Sequence, residues 1–298
     1  MRFQVILNRD GGTLRSRDPD RFAQETRARL EGFGHTVSVA VVPGDGVGEA
    51  LAAAAAGDCE VVMVGGGDGT VSAAAGRLAG SDKALAVLPA GTMNLFARSL
   101  GIPLELEAAV AAFGNGRVRA VDVASADGRI FVHQFSVGLH AKLIRLREKH
   151  AFRSRPGKIW ASVRAGFSAL FRPPRLKAAL TVDGEETKVT TAGIGITNNL
   201  FGEGHLPYSD RPDGGVLGVY VTRARRRRDL ARLLLAMLRG RWRRNDQIDI
   251  RPAKEVTLRL MGRHRRFGCA IDGELCDPGE VIRLRIHPGA LKVLAPAE

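Results

Sequence analysis

The chain of 298 residues predicts an α/β architecture in two parts. A parallel sheet layered with helices comes first, and an antiparallel β-rich sandwich or barrel follows. Three observations predict it. Over the first third, short Val/Ile/Leu runs alternate with helical stretches, the rhythm of strand–helix–strand units under a sheet covered on both faces. After about Arg119 that rhythm gives way to short β-rich runs separated by Asp-Gly pairs, the hairpin signal. The length also exceeds one typical domain. The boundaries read as 1–119 for the first domain and 120–287 for the second.

Taken in order, Phe3 to Leu7 is a buried strand, and Asn8 to Thr13 a polar, Gly-containing loop. Asp18-Pro19 starts a helix, with Asp as cap and Pro in the first turn. Phe22, Thr26, Leu30 and Phe33 form its stripe, and Gly34 stops it. Thr36 to Val42 is a strand, the Ala-rich 47–56 a helix, and Val61 to Val64 a strand. Gly65 to Thr70 is a loop, Val71 to Leu78 a helix, Leu85 to Leu88 a strand, and about Met93 to Leu100 a helix. In the second part, Asp127-Gly128, Asp183-Gly184 and Asp272-Gly273 each sit between β-rich runs. Two Arg-rich helical segments interrupt the strands, at about 139–171 and 226–239.

Composition narrows the class. Hydrophobic content of 45% supports real cores, filled by aliphatic residues because aromatics are only 5%. The formal net charge of +14 calls for an anionic partner: nucleic acid, an anionic membrane surface or nucleotide phosphates. Cys59, Cys269 and Cys276 are too few and scattered for a disulfide framework and lack zinc spacing, so they read as small buried hydrophobes in a reducing cytosol. The apolar run ending at Leu7 is too short for a signal peptide. No stretch approaches the ~20 apolar residues of a membrane-spanning helix, so a membrane would be met from its surface. The seven histidines show no metal-ligand spacing.

Two strand ends carry chemistry. Val61 to Val64 feeds Gly65-Gly66-Gly67-Asp68-Gly69-Thr70 into a helix. Such a turn presents backbone N–H groups unobstructed by side chains, and the helix dipole adds positive potential, which together make a phosphate cradle. It is neither a Walker A loop nor the usual dinucleotide fingerprint. Leu88-Pro89-Ala90-Gly91-Thr92-Met93-Asn94 also follows a strand, and parallel sheets bind ligands at the carboxyl ends of their strands. Cys269-Ala-Ile-Asp272-Gly273-Glu274, taken alone, is a hairpin turn.

Together, and in this order, Gly66 to Thr70, Pro89 to Asn94 with Phe96-Ala97-Arg98, and Asp272-Gly273-Glu274 resemble the diacylglycerol kinase catalytic-domain family. That family includes bacterial soluble lipid kinases and the sphingosine and ceramide kinases. The resemblance runs from Val5 to about Leu294, and its first motif is shared with NAD kinases and phosphofructokinases. It implies an N-terminal nucleotide-binding α/β domain and a β-rich domain for the acceptor, with segment 288–298 returning to the first. It implies ATP with catalytic Mg²⁺, held by Asn8, Gly66, Gly67, Asp68, Gly69, Thr70, Gly91, Thr92 and Asn94. Asp272 is then the general base on a lipid hydroxyl of diacylglycerol or sphingoid type, with Glu274 beside it. The chain departs from the family at Arg9, usually Pro, and at Leu95, often Asp. The stretch Pro207 to Gly215 matches a segment that holds a structural magnesium in some members, but its acidic register assigns no metal here.

Leu230, Leu233, Leu234, Met237 and Leu238 share one helical face, flanked by Arg223, Arg225 to Arg228, Arg232, Arg239, Arg241, Arg243 and Arg244, with Trp242 at one end. A second basic segment carries Lys142, Arg145, Arg147, Lys149, Arg153, Arg155, Lys158 and Arg164. The stripe reads as packing on the second domain, the arginines as solvated or drawn to anionic lipid. No nucleic-acid-binding signature accompanies the charge, which disfavours nucleic acid. The alternatives are a kinase of a soluble hydroxyl acceptor and a non-catalytic lipid- or nucleotide-binding regulator. The sequence does not set an oligomeric state.

Overall fold

The computed structural model describes residues 1–149, 175–224, 226–242, 245–261, 268–277 and 279–297. They form two compact units. The N-terminal unit is Met1–Val123 with Asp210–Gly214 and His287–Glu298; the C-terminal unit is Ala124–Ser209 with Gly215–Ile286.

In the N-terminal unit, strands β1 (Arg2–Asn8), β2 (Thr36–Val42), β3 (Val61–Gly66) and β4 (Ala84–Pro89) run parallel in the order β2-β1-β3-β4. Every residue of β3 and β4 is buried, as continuous apolar strands covered on both faces must be. Helices α1 (Pro19–Gly32), α2 (Val47–Ala56), α3 (Asp68–Leu78), α4 (Leu95–Ser99) and α5 (Leu106–Gly114) accompany them. Asp18 caps α1 by accepting from the Asp20 and Arg21 amides, with Pro19 at its start. Phe33 ends up 43% exposed just past the end of α1, so the buried stripe stops at Leu30. Helix α5 has no counterpart in the sequence reading. Its buried Leu106, Ala109, Val110 and Phe113 are helically spaced, but its N-cap, Glu105, makes no capping bond that would announce a start.

The C-terminal unit is antiparallel. One layer contains β8 (Leu176–Val182), β9 (Glu185–Thr191), β13 (Glu255–Leu260) and the first part of β16 (Val281–Ala295). The end of β5 (Arg117–Ala126) and β6 (Arg129–Phe131) form a hairpin beside it. The other layer has the order β12-β11-β10-β7-β14-β15, from β7 (Gln134–Gly138), β10 (Gly193–Asn198), β11 (Leu217–Thr222), β12 (Ile248–Ala253), β14 (Cys269–Ile271) and β15 (Glu274–Cys276). Phe135, Val137, Ile194, Ile196 and Val219 from this layer meet Leu176, Ala178, Leu180, Val256, Leu258 and Leu284 from the first, forming one core. The outer face of this second layer carries α6 (Leu139–Lys149) and α7 (Arg227–Leu238).

The three Asp-Gly pairs form the β5–β6, β8–β9 and β14–β15 turns. The cysteines depart from the sequence reading. Cys269 and Cys276 face each other across the β14–β15 hairpin, their Cα atoms 5.3 Å apart, and are joined as a disulfide. A separation of seven residues looks scattered along the chain, but a tight hairpin makes the two positions direct partners. Of the basic segments, residues 150–174 and Arg225, Arg243 and Arg244 lie outside the described residues.

Candidate nucleotide and acceptor sites

In the N-terminal unit three loops leave the carboxyl ends of β1, β3 and β4 and pack on one another. Asn8 Nδ2 donates to Thr70 Oγ1 at 3.3 Å, and Asn8 Oδ1 accepts from the Asp10 amide at 3.0 Å. The Thr13 amide and hydroxyl both donate to the Ala90 carbonyl, at 2.8 and 2.9 Å. Asp68 Oδ1 accepts from the Leu95 amide at 3.1 Å, tying the second loop to the third. Asn94 adopts a left-handed conformation (φ 49°), and its Nδ2 donates to the Pro89 and Gly91 carbonyls. That conformation ends the loop, so α4 begins at Leu95 and not at Met93.

Two glycines are required by this packing. Gly12 has φ +35°, and a Cβ there would fall on the Ala90 carbonyl. At Gly91 a Cβ would meet Asn94 Oδ1 at 2.7 Å and the Gly67 Cα at 3.0 Å. Backbone therefore lies on backbone, next to the first turn of α3, whose amides have no intrahelical acceptor. The arrangement brings together Asn8, Gly66, Gly67, Asp68, Thr70, Gly91 and Asn94, with Gly69 in the first turn of α3 and Thr92 exposed on the third loop. Thr13 and Asp10, whose Oδ2 accepts from the Gly44 amide at 2.8 Å, escape the sequence reading. The polar loop Asn8 to Thr13 is the available signal.

Both departures from the family pattern have a structural account. The Arg9 amide donates to the Val42 carbonyl at 3.0 Å, a bond proline cannot make. At Leu95 it is the backbone N–H that Asp68 uses, so that bond does not depend on the side chain.

In the C-terminal unit, Asp272 is buried at the β14–β15 turn. Its Oδ2 accepts from the Val132 amide at 2.9 Å, and its Oδ1 accepts from the His133 and Gln134 amides at 3.0 and 2.9 Å. Glu274 is exposed and ion-paired with Arg129 at 2.6 Å. His133 stacks on Phe201, and burial, followed by the charge of His140, pushes its pKa down to about 3.

Gln134 leads from Asp272 into a cavity of about 240 Å³ on the outer face of the second layer. Ser136, Gly195 and Tyr220 lie side by side on its floor. Leu230, Leu233 and Met237 of α7 and the buried Trp242 close over it. The lining is mostly apolar, with a polar patch where Ser136 Oγ lies 2.7 Å from His140 Nδ1. The cavity, with Gln134, Ser136 and His140, also escapes the sequence reading. The available signal is Gly193-Ile194-Gly195-Ile196, which alternates isoleucine into the core with glycine on the opposite face.

Among the described residues, no three His, Cys, Asp or Glu side chains come together as a metal-holding group, and no helix is long and apolar enough to cross a membrane.

The family model for the diacylglycerol kinase catalytic domain matches residues 2–126. The model for the YegS C-terminal NAD kinase beta sandwich-like domain matches residues 134–295, more than half of the chain. A diacylglycerol kinase of Mycobacterium tuberculosis is 32% identical over 90% of this chain and 88% of its own length. The chain belongs to the diacylglycerol kinase family. A Pseudomonas aeruginosa protein described as "Probable lipid kinase YegS-like" is 29% identical over 84% of this chain and 80% of its own. The crystal structure of a diacylglycerol kinase from Bacillus anthracis superposes with a TM-score of 0.72 at 18% identity, covering 99% of this chain and 96% of that one, which shows the shared fold. As a family member the chain is a kinase that phosphorylates an alcohol.

Proposed function

We propose that this kinase transfers the terminal phosphoryl group of ATP to the hydroxyl of a lipid. The observation that carries the lipid acceptor is the apolar cavity that Gln134 joins to Asp272. Pockets for small molecules are commonly apolar. Here the few polar groups sit at one end, at Gln134, Ser136 and His140, which suits a lipid with a polar head and an apolar chain better than an acceptor that is polar throughout. In this reading the N-terminal unit, roughly 1–119 with the returning 288–298, holds the nucleotide, and 120–287 holds the acceptor.

The amides of the second loop and the first turn of α3 face the phosphates, and Asn8, Thr70, Thr92 and Asn94 border them. Asp68 offers hard oxygen chemistry suited to Mg²⁺, which is commonly held by one or two carboxylates together with phosphate oxygens. When bound, the ion neutralises phosphate charge. Asp272 orients the acceptor hydroxyl and accepts its proton, with its carboxylate fixed in place by the strand amides. Glu274 keeps negative charge at the same turn. Arg228 and Arg232, exposed on α7 on the side away from Leu230 and Leu233, draw the protein to anionic lipid surfaces.

The test is incubation with labelled ATP, Mg²⁺ and a total lipid extract, presented in neutral and in anionic vesicles, followed by identification of the labelled product. A phosphorylated lipid, formed faster on anionic vesicles at low salt, is expected. Label on soluble acceptors alone, or no turnover, would overturn the reading; equal rates on both vesicle types would remove only the surface attraction.

A further inference from the structure

The turn that carries Asp272 is framed by two cysteines. Cys269 is the first residue of β14 and Cys276 the last of β15. They are direct partners across the hairpin, and their 5.3 Å Cα separation is one a disulfide spans without moving the backbone. Strand β15 is weakly held. It has three residues, lies at the edge of its sheet and, among the described strands, pairs with β14 alone. Leu275 packs on Ala141, Ile144 and Ala270, and Glu274 makes an exposed ion pair with Arg129, which is worth little in water. The disulfide fastens the open end of the hairpin. Its two sulfurs differ in access, since Cys269 is 2% exposed and Cys276 is only half-buried.

We propose that this pair is a reversible thiol–disulfide site whose state sets how firmly the hairpin holds Asp272. Asp272 has φ 47°, a conformation that a non-glycine residue keeps where the surrounding pairing imposes it. The pair that imposes it is Ile271–Glu274, and the disulfide stops β15 from fraying toward that pair from the open end. With the bond broken the edge strand opens more often, and the Asp272 carboxylate spends less time on the Val132, His133 and Gln134 amides. The co-reactant is a small thiol of the glutathione type. Its thiolate attacks Cys276 Sγ, the accessible sulfur; the S–S bond breaks, and Cys269 leaves as a thiolate and takes up a proton. A second thiolate then attacks the small thiol's sulfur in the mixed disulfide, releasing the small-molecule disulfide and the Cys276 thiolate, which is protonated in turn. The reverse sequence, with the small-molecule disulfide as oxidant, restores the bond, and two electrons pass in either direction. The effect on turnover rests on the reading of Asp272 as proton acceptor; the exchange site itself does not.

The experiment equilibrates the intact protein in mixtures of reduced and oxidised glutathione, then traps thiols by alkylation and reads the Cys269–Cys276 pair by mass spectrometry. A single two-electron transition within the range of those mixtures is expected. Across it, hydrogen exchange at the Val132, His133 and Gln134 amides should quicken about tenfold in the reduced form, from loss of the bond that closes the hairpin. Phosphorylation of lipid should fall severalfold in kcat over the same transition, with KM for ATP unchanged. Cys276→Ser should behave as the reduced protein in every mixture, and Cys269→Ala serves if that variant does not fold. Cys59→Ala should keep the full response, because Cys59 lies in the N-terminal unit. A pair that stays wholly reduced or wholly oxidised throughout, or a transition that leaves exchange at the three amides unchanged, overturns the site. Equal kcat in the two forms, with exchange altered, overturns the control of turnover through Asp272. A protein that phosphorylates no lipid in either form removes the kinase reading, while the trapping and exchange measurements still decide the thiol–disulfide site.

Discussion

The three Asp-Gly turns of the C-terminal unit share one design and differ in one respect. Asp127, Asp183 and Asp272 have φ of 48°, 46° and 47°, and the glycines that follow have φ of 84°, 94° and 87°, as tight hairpins require. Each Asp amide donates to a carbonyl of a further strand, of Arg283, Glu255 and Gln134 respectively. Each carboxylate accepts amides in return. Asp127 uses Oδ1 for Arg283, and Asp183 uses Oδ1 for Lys254 and Glu255. Both are exposed, whereas Asp272 is buried and uses both oxygens. The dipeptide alone therefore says turn. What sets Asp272 apart is the segment it clamps, Val132 to Gln134, which opens into the cavity.

The largest expected effect tests that difference. In Asp272→Asn an NH₂ group must replace one of two accepting oxygens and face an amide N–H. Sequence alone suggests little change in stability, because Asn-Gly suits the same turn. The two-oxygen clamp instead predicts a loss of about 1–3 kcal/mol from an unsatisfied buried amide, seen as roughly 2–10 °C in melting. As the proton acceptor, Asp272→Asn should also lower turnover by about 10²-fold or more at a temperature where the variant is folded. ATP affinity should hold. Normal turnover would make Asp272 a turn residue like the other two.

Asp68 extends the comparison to the N-terminal unit, since it too holds an amide, that of Leu95, through one oxygen. Asp68→Asn keeps an oxygen for that bond and removes the charge, whereas Asp68→Ala removes both. If the charge serves the nucleotide and its ion, both variants should weaken ATP use about tenfold or more, from loss of a charge-assisted contact. If Asp68 is only a staple, Asp68→Asn should behave as wild type. ATP titrations of the two variants separate the roles.

His133 sits on the segment that Asp272 clamps, and it gives that region a pH signature. The folded protein keeps it neutral down to about pH 3, because of burial and then the His140 charge; the unfolded chain protonates it near 6.5. The unfolded state therefore binds one more proton between those values. Its contribution is complete above pH 6.5 and is lost as pH falls toward 3, at up to about 1.4 kcal/mol per pH unit. Urea unfolding from pH 7 to 4.5 should show this slope in wild type and lose it in His133→Phe, which can still stack on Phe201. An equal slope in both would place the titration elsewhere.

Much of the fold is legible in the sequence because local rules and tertiary packing agree. Strands β3 and β4 are continuous apolar runs, α1 carries its cap and proline, and each Asp-Gly pair makes its turn. Helix α5 is not legible, since its start lacks a capping side chain. The phosphate-loop residues are readable as motifs, but their mutual bonds, such as Thr13 to Ala90 and Asp68 to Leu95, join positions far apart in sequence. The cavity is hidden for a different reason. It is made by what Gly193 and Gly195 leave out, and a missing side chain acquires meaning only when the flanking strands are known. The Cys269–Cys276 pair likewise depends on the hairpin register.

The smallest expected effect is the control on which the comparison depends. In Asp183→Asn the retained Oδ1 can still accept the Lys254 and Glu255 amides, and the new NH₂ group faces solvent because the turn is exposed. Asparagine also tolerates the positive φ that the turn demands. Stability should therefore change by no more than about 0.5 kcal/mol, and turnover should be that of wild type. Asp183→Ala, which removes the acceptor, should cost about 1 kcal/mol, so the clamp itself is real and measurable. If Asp183→Asn proved as damaging to stability as Asp272→Asn, counting accepting oxygens would not explain the difference between the turns. If instead Asp183→Asn is silent while Asp272→Asn loses both stability and turnover, one device has been put to two uses, and burial beside the acceptor cavity distinguishes them.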